Sequence, residues 1–109
     1  MDITIHPTAL QGSVTAIASK SQAHRLLICA AFSERETELH CPQTNRDIEA
    51  TARCLQALGA EIQRTDTGYR VTPIQTVPQC ATLHCGESGS TLRFMLPIVG
   101  ALGVDGTFQ

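Results

Sequence analysis

Tryptophan is absent from this chain, and one Tyr and three Phe are all the aromatic residues among its 109. Ten acidic side chains outnumber eight basic ones, for a net charge of −2. With few rings for base stacking and no uniform positive field, nucleic acids and anionic membranes are poor partners. Any anionic ligand must be held by a local cluster. No apolar run approaches the roughly 20 residues of a membrane helix. The opening Met1-Asp2-Ile3-Thr4-Ile5-His6-Pro7 also lacks the basic start and apolar stretch of a secretory leader, so the expected location is the cytoplasm. No CxxC spacing occurs among the five cysteines (29, 41, 54, 80 and 85), and an odd number leaves one over in any disulfide scheme; they read as reduced thiols. Against disorder, collagen or a disulfide miniprotein stands a composition 42% hydrophobic and 17% charged. It fits one ordinary domain whose core rests on Leu, Ile, Val and Ala, as where helices pack on a sheet.

What the chain does contain is a repeat. Leu39-His40-Cys41 leads to Ala57-Leu58-Gly59, and Leu83-His84-Cys85 leads to Ala101-Leu102-Gly103 at the same distance, an offset of 44 residues. Each copy begins with a run able to form a strand (37–41 and 81–85) and ends in a helical stretch closed by a capping glycine. A weaker copy precedes them. Ser13 to Ile17 alternates as a strand, and Ser21 to Phe32 carries Ala23, Leu26, Leu27, Ala30 and Ala31 at helical spacing. Ala60–Arg64 and Tyr69–Thr72, separated by Asp66-Thr67-Gly68, read as a hairpin. The expected order is βαβαββ followed by the start of another unit. At the end, Asp105-Gly106 reads as a turn and Thr107-Phe108-Gln109 as a strand just begun with nothing to pair with it, which suggests a fragment.

In each unit a polar loop lies between strand end and helix start, where unsatisfied N–H groups and the helix dipole favour an anion. The first loop holds Lys20, the sole lysine beside seven arginines. Ser21 and Arg25 share the helix face opposite the apolar stripe, able to meet one carboxylate or phosphate, or simply to be solvated. The second offers Thr44 or Asn45 as N-cap, with Asp47 favourable to the dipole or reaching across to Lys20; Glu49 and Arg53 read as a solvated i,i+4 pair. The third, Gly86-Glu87-Ser88-Gly89-Ser90-Thr91, combines glycines for close backbone approach with hydroxyl donors, but it lacks the glycine spacing and lysine of a Walker A loop. The following helix is apolar nearly all round, so burial is expected, with a kink at Pro97. Its one charge, Arg93, must snorkel to water, pair with Glu87 or Asp47, or face a ligand anion. The two His-Cys pairs do not make a zinc set, because adjacent strand residues point to opposite faces; Cys29 and Cys54 fall in helices as small apolar groups.

Lys20-Ser21-Gln22-Ala23-His24-Arg25, Asn45-Arg46-Asp47-Ile48 and Gly86-Glu87-Ser88-Gly89-Ser90-Thr91-Leu92-Arg93, in this order, resemble the amino-terminal part of the EPSP synthase family, the 3-phosphoshikimate 1-carboxyvinyltransferases. The resemblance implies transfer of the enolpyruvyl group of phosphoenolpyruvate to the 5-hydroxyl of shikimate 3-phosphate, with phosphate released through a tetrahedral intermediate. It implies no metal or organic cofactor and a monomeric full-length enzyme. The implied fold is mixed α and β: βαβαββ units of an inside-out α/β barrel, or alpha-beta prism, here an incomplete part of one domain. Residues 1–20 would supply leading strands and the catalytic-lysine loop, 21–80 the first βαβαββ-type unit, and 81–109 the start of the next. Carried over by position, Lys20 contacts phosphoenolpyruvate and the intermediate, Ser21 and Arg25 bind shikimate 3-phosphate with Lys20, and Gly89 borders the phosphoenolpyruvate site. Asp47, Glu87, Ser88, Ser90 and Arg93 are further candidates nearby. Where the family's better known pattern is Asn-Ala-Gly-Thr-Ala-x-Arg-Pro, this chain has Glu87, Ser88, Ser90, Thr91 and Phe94, so sensitivity to glyphosate, a family inhibitor, does not carry over. The family's acid/base residues and other phosphate-binding cations lie in the carboxy-terminal remainder, so the fragment alone is expected to be inactive. Two alternatives are a UDP-N-acetylglucosamine enolpyruvyl transferase, whose lysine is followed by Asn-Ala rather than Ser-Gln-Ala-His-Arg, and a noncatalytic anion-binding module.

Overall fold

Three polar residues start the three helices of the computed structural model, which describes Met1–Gln109. Ser19 caps α1 (Lys20–Ala31), Asn45 caps α2 (Arg46–Ala57) and Ser88 caps α3 (Gly89–Leu102), each side-chain oxygen accepting backbone N–H groups of the first turn. Between the two capping candidates of the second loop, the chain uses Asn45, whose Oδ1 accepts from Asp47 and Ile48 at 3.0 Å each. The far ends are closed as the glycines suggest: Gly59 and Gly103 both have positive φ (+109° and +69°) just past α2 and α3.

Five strands complete the chain: β1 (Thr37–His40), β2 (Glu61–Arg64), β3 (Gly68–Thr72), β4 (Cys80–Leu83) and β5 (Asp105–Phe108). The hairpin β2–β3 forms with Arg64 opposite Tyr69, and β3 lies centrally, antiparallel to both β1 and β2. β4 and β5 form a separate parallel pair connected by α3. The molecule is therefore mixed α and β. α2 sits in the middle, packed against α1, α3, β2 and β4, and supplies Ile48, Ala52 and Leu55 at helical spacing to a core that includes Leu27, Leu58, Val71, Leu83 and Met95. Cys54 and Cys85 are buried with their sulfurs 3.9 Å apart, Cys54 packing as a small apolar group; Cys29 is exposed, contrary to expectation.

Four further expectations are corrected. Ser13–Ile17 forms no strand: residues 1–17 are exposed and pair with nothing, so Ile3, Ile5, Val14 and Ile17 stand in solvent. The radius of gyration is accordingly 17.0 Å, against about 13 Å for a compact chain of roughly 100 residues. The chain's end does find a partner, for Asp105-Gly106 lies inside β5 rather than in a turn, and Phe108 stands opposite Leu83. On α1 Leu26 is exposed and His24 takes the buried place, because its ring bonds into the interior. α3 is buried on one face only, by Thr91, Met95 and Val99, while Leu92 and Leu96 are exposed; the helix continues through Pro97 to Leu102.

Candidate anion-binding site

Strand ends and helix caps bring the three polar loops together. β1 delivers the chain into Cys41–Asn45, whose carbonyls are held by Arg64: its Nη1 donates to Cys41 (2.7 Å) and Gly68 (2.9 Å), and its Nη2 donates to Pro42 (2.8 Å). The same guanidinium lies over the Tyr69 ring, 4.6 Å from its centroid. That anchorage sets where Asn45 starts α2, and so where Asp47 stands. Lys20, first residue of α1, then donates from Nζ to Asp47 Oδ2 at 2.8 Å. The reach across from Asp47 to Lys20 is thus present. α3 joins through Thr91, whose hydroxyl donates to the Asp47 carbonyl at 3.3 Å, and through its cap Ser88, whose Oγ lies 2.7 Å from Thr91 Oγ1.

Electrostatically the cluster is a cation held by one carboxylate beside three helix N-termini. The Lys20 ammonium holds the Asp47 carboxyl below the usual carboxylate range, with the Ser88 hydroxyl a lesser contributor. Lys20 is exposed and uses one donor on Asp47, leaving others for an incoming anion. Two grooves meet at Asp47. One, about 700 Å³, lies between the starts of α1 and α2 and is lined by Ser19, Lys20, Asn45 and Arg46. The other, about 320 Å³, runs from α2 to the glycine loop past Arg46, Arg53, Gly86 and Ser88.

Of the remaining candidates, Ser21 and Arg25 are exposed on α1, but Arg25 is already engaged: its Nη1 donates to the Ser21 carbonyl at 2.9 Å, and the guanidinium lies 5.2 Å from the centre of the Phe94 ring. Gly89 and Glu87 are exposed at the mouth of the loop, Ser90 is half-buried, and Ser88 is buried as cap. Arg93 is exposed and forms no ion pair, so it resolves its charge in water. Glu49 and Arg53 are likewise exposed without an ion pair between them. Sequence reasoning passed over Arg46, which lines both grooves. The signal was there: a cation at the first position of a helix sits against the dipole and calls for a reason other than helix stability.

A family model described as EPSP synthase (3-phosphoshikimate 1-carboxyvinyltransferase) matches residues 5–108. Curated proteins named 3-phosphoshikimate 1-carboxyvinyltransferase are similar to the chain. The one from Clostridium kluyveri is 36% identical over 107 residues, covering 97% of this chain and 25% of its own length. Those from Clostridioides difficile (35% over 115 residues) and Clostridium botulinum Alaska E43 (37% over 100 residues) cover 95% and 86% of this chain and 26% and 23% of themselves. The chain spans about a quarter of the length of the curated relatives it matches.

Proposed function

Since the chain belongs to the EPSP synthase family, we propose that its joined helix starts are the amino-terminal share of a site for enolpyruvyl transfer from phosphoenolpyruvate to the 5-hydroxyl of shikimate 3-phosphate. In this reading Lys20 contacts both substrates and the tetrahedral intermediate, Ser21 and Arg25 hold shikimate 3-phosphate, and Gly89 borders phosphoenolpyruvate. Asp47, Glu87, Ser88, Ser90 and Arg93 surround them. The inside-out barrel of βαβαββ units, the division at residues 20 and 80, and a cytoplasmic location belong to the same reading.

The observation that carries it is the 2.8 Å bond between Lys20 and Asp47 across two helix starts. Both substrates are polyanions. A chain with an overall charge of −2 must concentrate its positive potential locally to attract them, and Lys20, Arg25, Arg46 and three N-terminal dipoles do so. Asp47 aims the ammonium while ligand is absent, and a doubly charged phosphate can then share it. Transfer itself needs protons moved to and from the enolpyruvyl group, and none of the gathered residues is placed here in that role, so the chain alone binds without turning over.

NMR titration of the chain with shikimate 3-phosphate tests this. The amides of Lys20, Ser21 and Arg25 are expected to shift at millimolar ligand, and UDP-N-acetylglucosamine is expected to leave them in place. Amides unmoved by shikimate 3-phosphate would overturn the assignment; shifts with the nucleotide sugar instead would transfer the chain to that substrate class.

A further inference from the structure

Behind the exposed cluster runs a second set of polar contacts that ion binding does not require. His24 on α1, Thr51 on α2 and Thr91 on α3 are each fully buried. Their polar atoms form one chain: His24 Nδ1 to Thr51 Oγ1 at 2.6 Å, Thr51 Oγ1 to Thr91 Oγ1 at 2.9 Å, and Thr91 Oγ1 to Ser88 Oγ at 2.7 Å. Thr91 branches from it to the Asp47 carbonyl. The Phe94 ring, 5.9 Å from the His24 ring and 5.2 Å from the Arg25 guanidinium carbon, ties α3 to α1 on the adjoining face.

We infer that His24, Thr51 and Thr91 are positioning residues, which fix how the three helices are turned relative to one another so that Lys20, Asp47 and the Ser88 cap present a single anion-binding surface. The inference rests on the functional reading above for what that surface binds, though the geometric link does not depend on it. Apolar side chains of the same shape would fill the interior as well, and buried polar sets generally add little stability over such replacements. What hydroxyls add is direction. Methyl packing sets no preferred direction between its partners, whereas a hydrogen bond prefers an angle above about 150° and weakens steeply below about 120°. The chain carries a cost, because His24 Nε2 is buried with no partner. It also ends where direction matters, at the Ser88 oxygen that accepts the Thr91 N–H and at the carbonyl of the residue holding Lys20.

The test replaces hydroxyl by methyl and then restores it: Thr51→Val and Thr91→Val, each beside the matching Ser variant, in the 109-residue chain. The readouts are the thermal midpoint, the Asp47 carboxyl titration followed by its carbon shift, and the shikimate 3-phosphate titration. The Val variants are expected to stay folded with a thermal midpoint several degrees lower, because each leaves a buried polar partner unpaired. Their Asp47 titration moves up toward the ordinary carboxylate value as the Lys20 bond loosens, and ligand affinity weakens roughly two- to thirty-fold. The Ser variants retain wild-type behaviour in both. Val variants with unchanged Asp47 titration overturn the inference. So do Ser variants perturbed as much as Val ones, or Val variants that unfold where the Ser variants fold, since both outcomes assign the residues to packing or stability. If the unsubstituted chain ignores shikimate 3-phosphate while Asp47 still responds to the Val substitutions, the substrate reading fails and the positioning link stands.

Discussion

A single methyl group added at Gly68 is expected to undo the strand pairing that places Asp47. A Cβ built there would stand 1.8 Å from the Leu39 carbonyl oxygen and 2.5 Å from the Cys41 amide nitrogen, both backbone atoms of the neighbouring strand and its exit. Real Cβ contacts essentially never fall under 3.0 Å, so the backbones must part by about 1.2 Å or more. The Cys41 N–H bond to the Thr67 carbonyl, 2.9 Å long, cannot survive such a shift, nor can the pairing of His40 with Gly68. Losing one or two net hydrogen bonds at about 1 kcal/mol each, with overpacking strain of about 1–3 kcal/mol, gives Gly68→Ala a cost of about 2–5 kcal/mol. A domain of this size has about 5–15 kcal/mol in all. Gly89 supplies the control, because a Cβ there meets nothing within 4 Å and the residue begins a helix. Gly89→Ala is therefore expected to hold or raise stability by up to about 1 kcal/mol, and to weaken any ligand that the loop's backbone approaches. Urea unfolding of the two variants beside the parent measures both effects. A Gly68→Ala chain within about 0.5 kcal/mol of the parent, or a Gly89→Ala chain as unstable as Gly68→Ala, would refute the reasoning.

Three more expectations follow from charge and burial. Because Lys20 lowers the folded-state pKa of Asp47, the resulting stability is present above the ordinary aspartate value of about 3.9 and is lost as pH falls through the lower folded value. Acid unfolding curves should show that loss, and Lys20→Met should shrink it without changing the folded spectrum at neutral pH. Burial, and then the Lys20 charge, lower the His24 pKa, so the folded protein resists a proton that the unfolded chain accepts. Stability should begin to decline as pH drops below about 6.5, and His24→Gln should flatten that part of the profile; an unaltered slope counts against a buried neutral imidazole. The Cys54 thiol is pushed up to about 12 by burial and then by its neighbour Cys85, whereas Cys29 and Cys80 are exposed. Brief alkylation of the native protein, read by peptide mass, should modify Cys29 and Cys80 and spare Cys54 and Cys85 until denaturant is added.

Local signals were readable where local chemistry decided the outcome. The Asn45 cap offered beside Thr44, the Asp66-Thr67-Gly68 hairpin and the glycines past α2 and α3 depend on residues within a few positions of one another, and all appear in the structure. Burial depended on partners far along the chain. Helical spacing marks Leu26 as well as Leu27, but nothing local says that His24 will find a hydroxyl 27 residues away and turn α1 so that Leu26 faces out. α3 gives the same lesson in reverse: its composition is apolar nearly all round, yet β5 and α2 cover only the Thr91–Met95–Val99 face. Ser13–Ile17 has the alternation of a strand, and alternation without an adjacent strand edge gives no ladder. Within the candidate site, Asp47 and Lys20 were individually legible from their helix positions. The Thr51–Thr91 link was hidden, since Thr51 in mid-helix carries no signal of its own and Thr91, in the first turn of α3, reads only as one more hydroxyl of its loop.

The internal repeat also explains the misreading of the chain's last residues. Shifted by 44, β2 at 61–64 falls on β5 at 105–108, so the repeating unit is a strand, a helix and a second strand: β1–α2–β2, then β4–α3–β5. In the first unit β3 is antiparallel to both outer strands and lies between them, which makes β1 and β2 parallel to each other without touching. In the second unit no strand intervenes, and β4 and β5 bond directly in that same parallel sense. The orientation of the outer strands is thus set by the helix crossing between them, and the central strand is an addition to a frame already determined. It follows that the helix starts, not the strand count, are the constant part of the unit. For α2 and α3 each start is fixed by a strand leading in and a cap, whether or not a third strand fills the sheet, and for α1 by its cap Ser19 and the Lys20–Asp47 bond, so three loops of dissimilar sequence meet at one carboxylate and one ammonium.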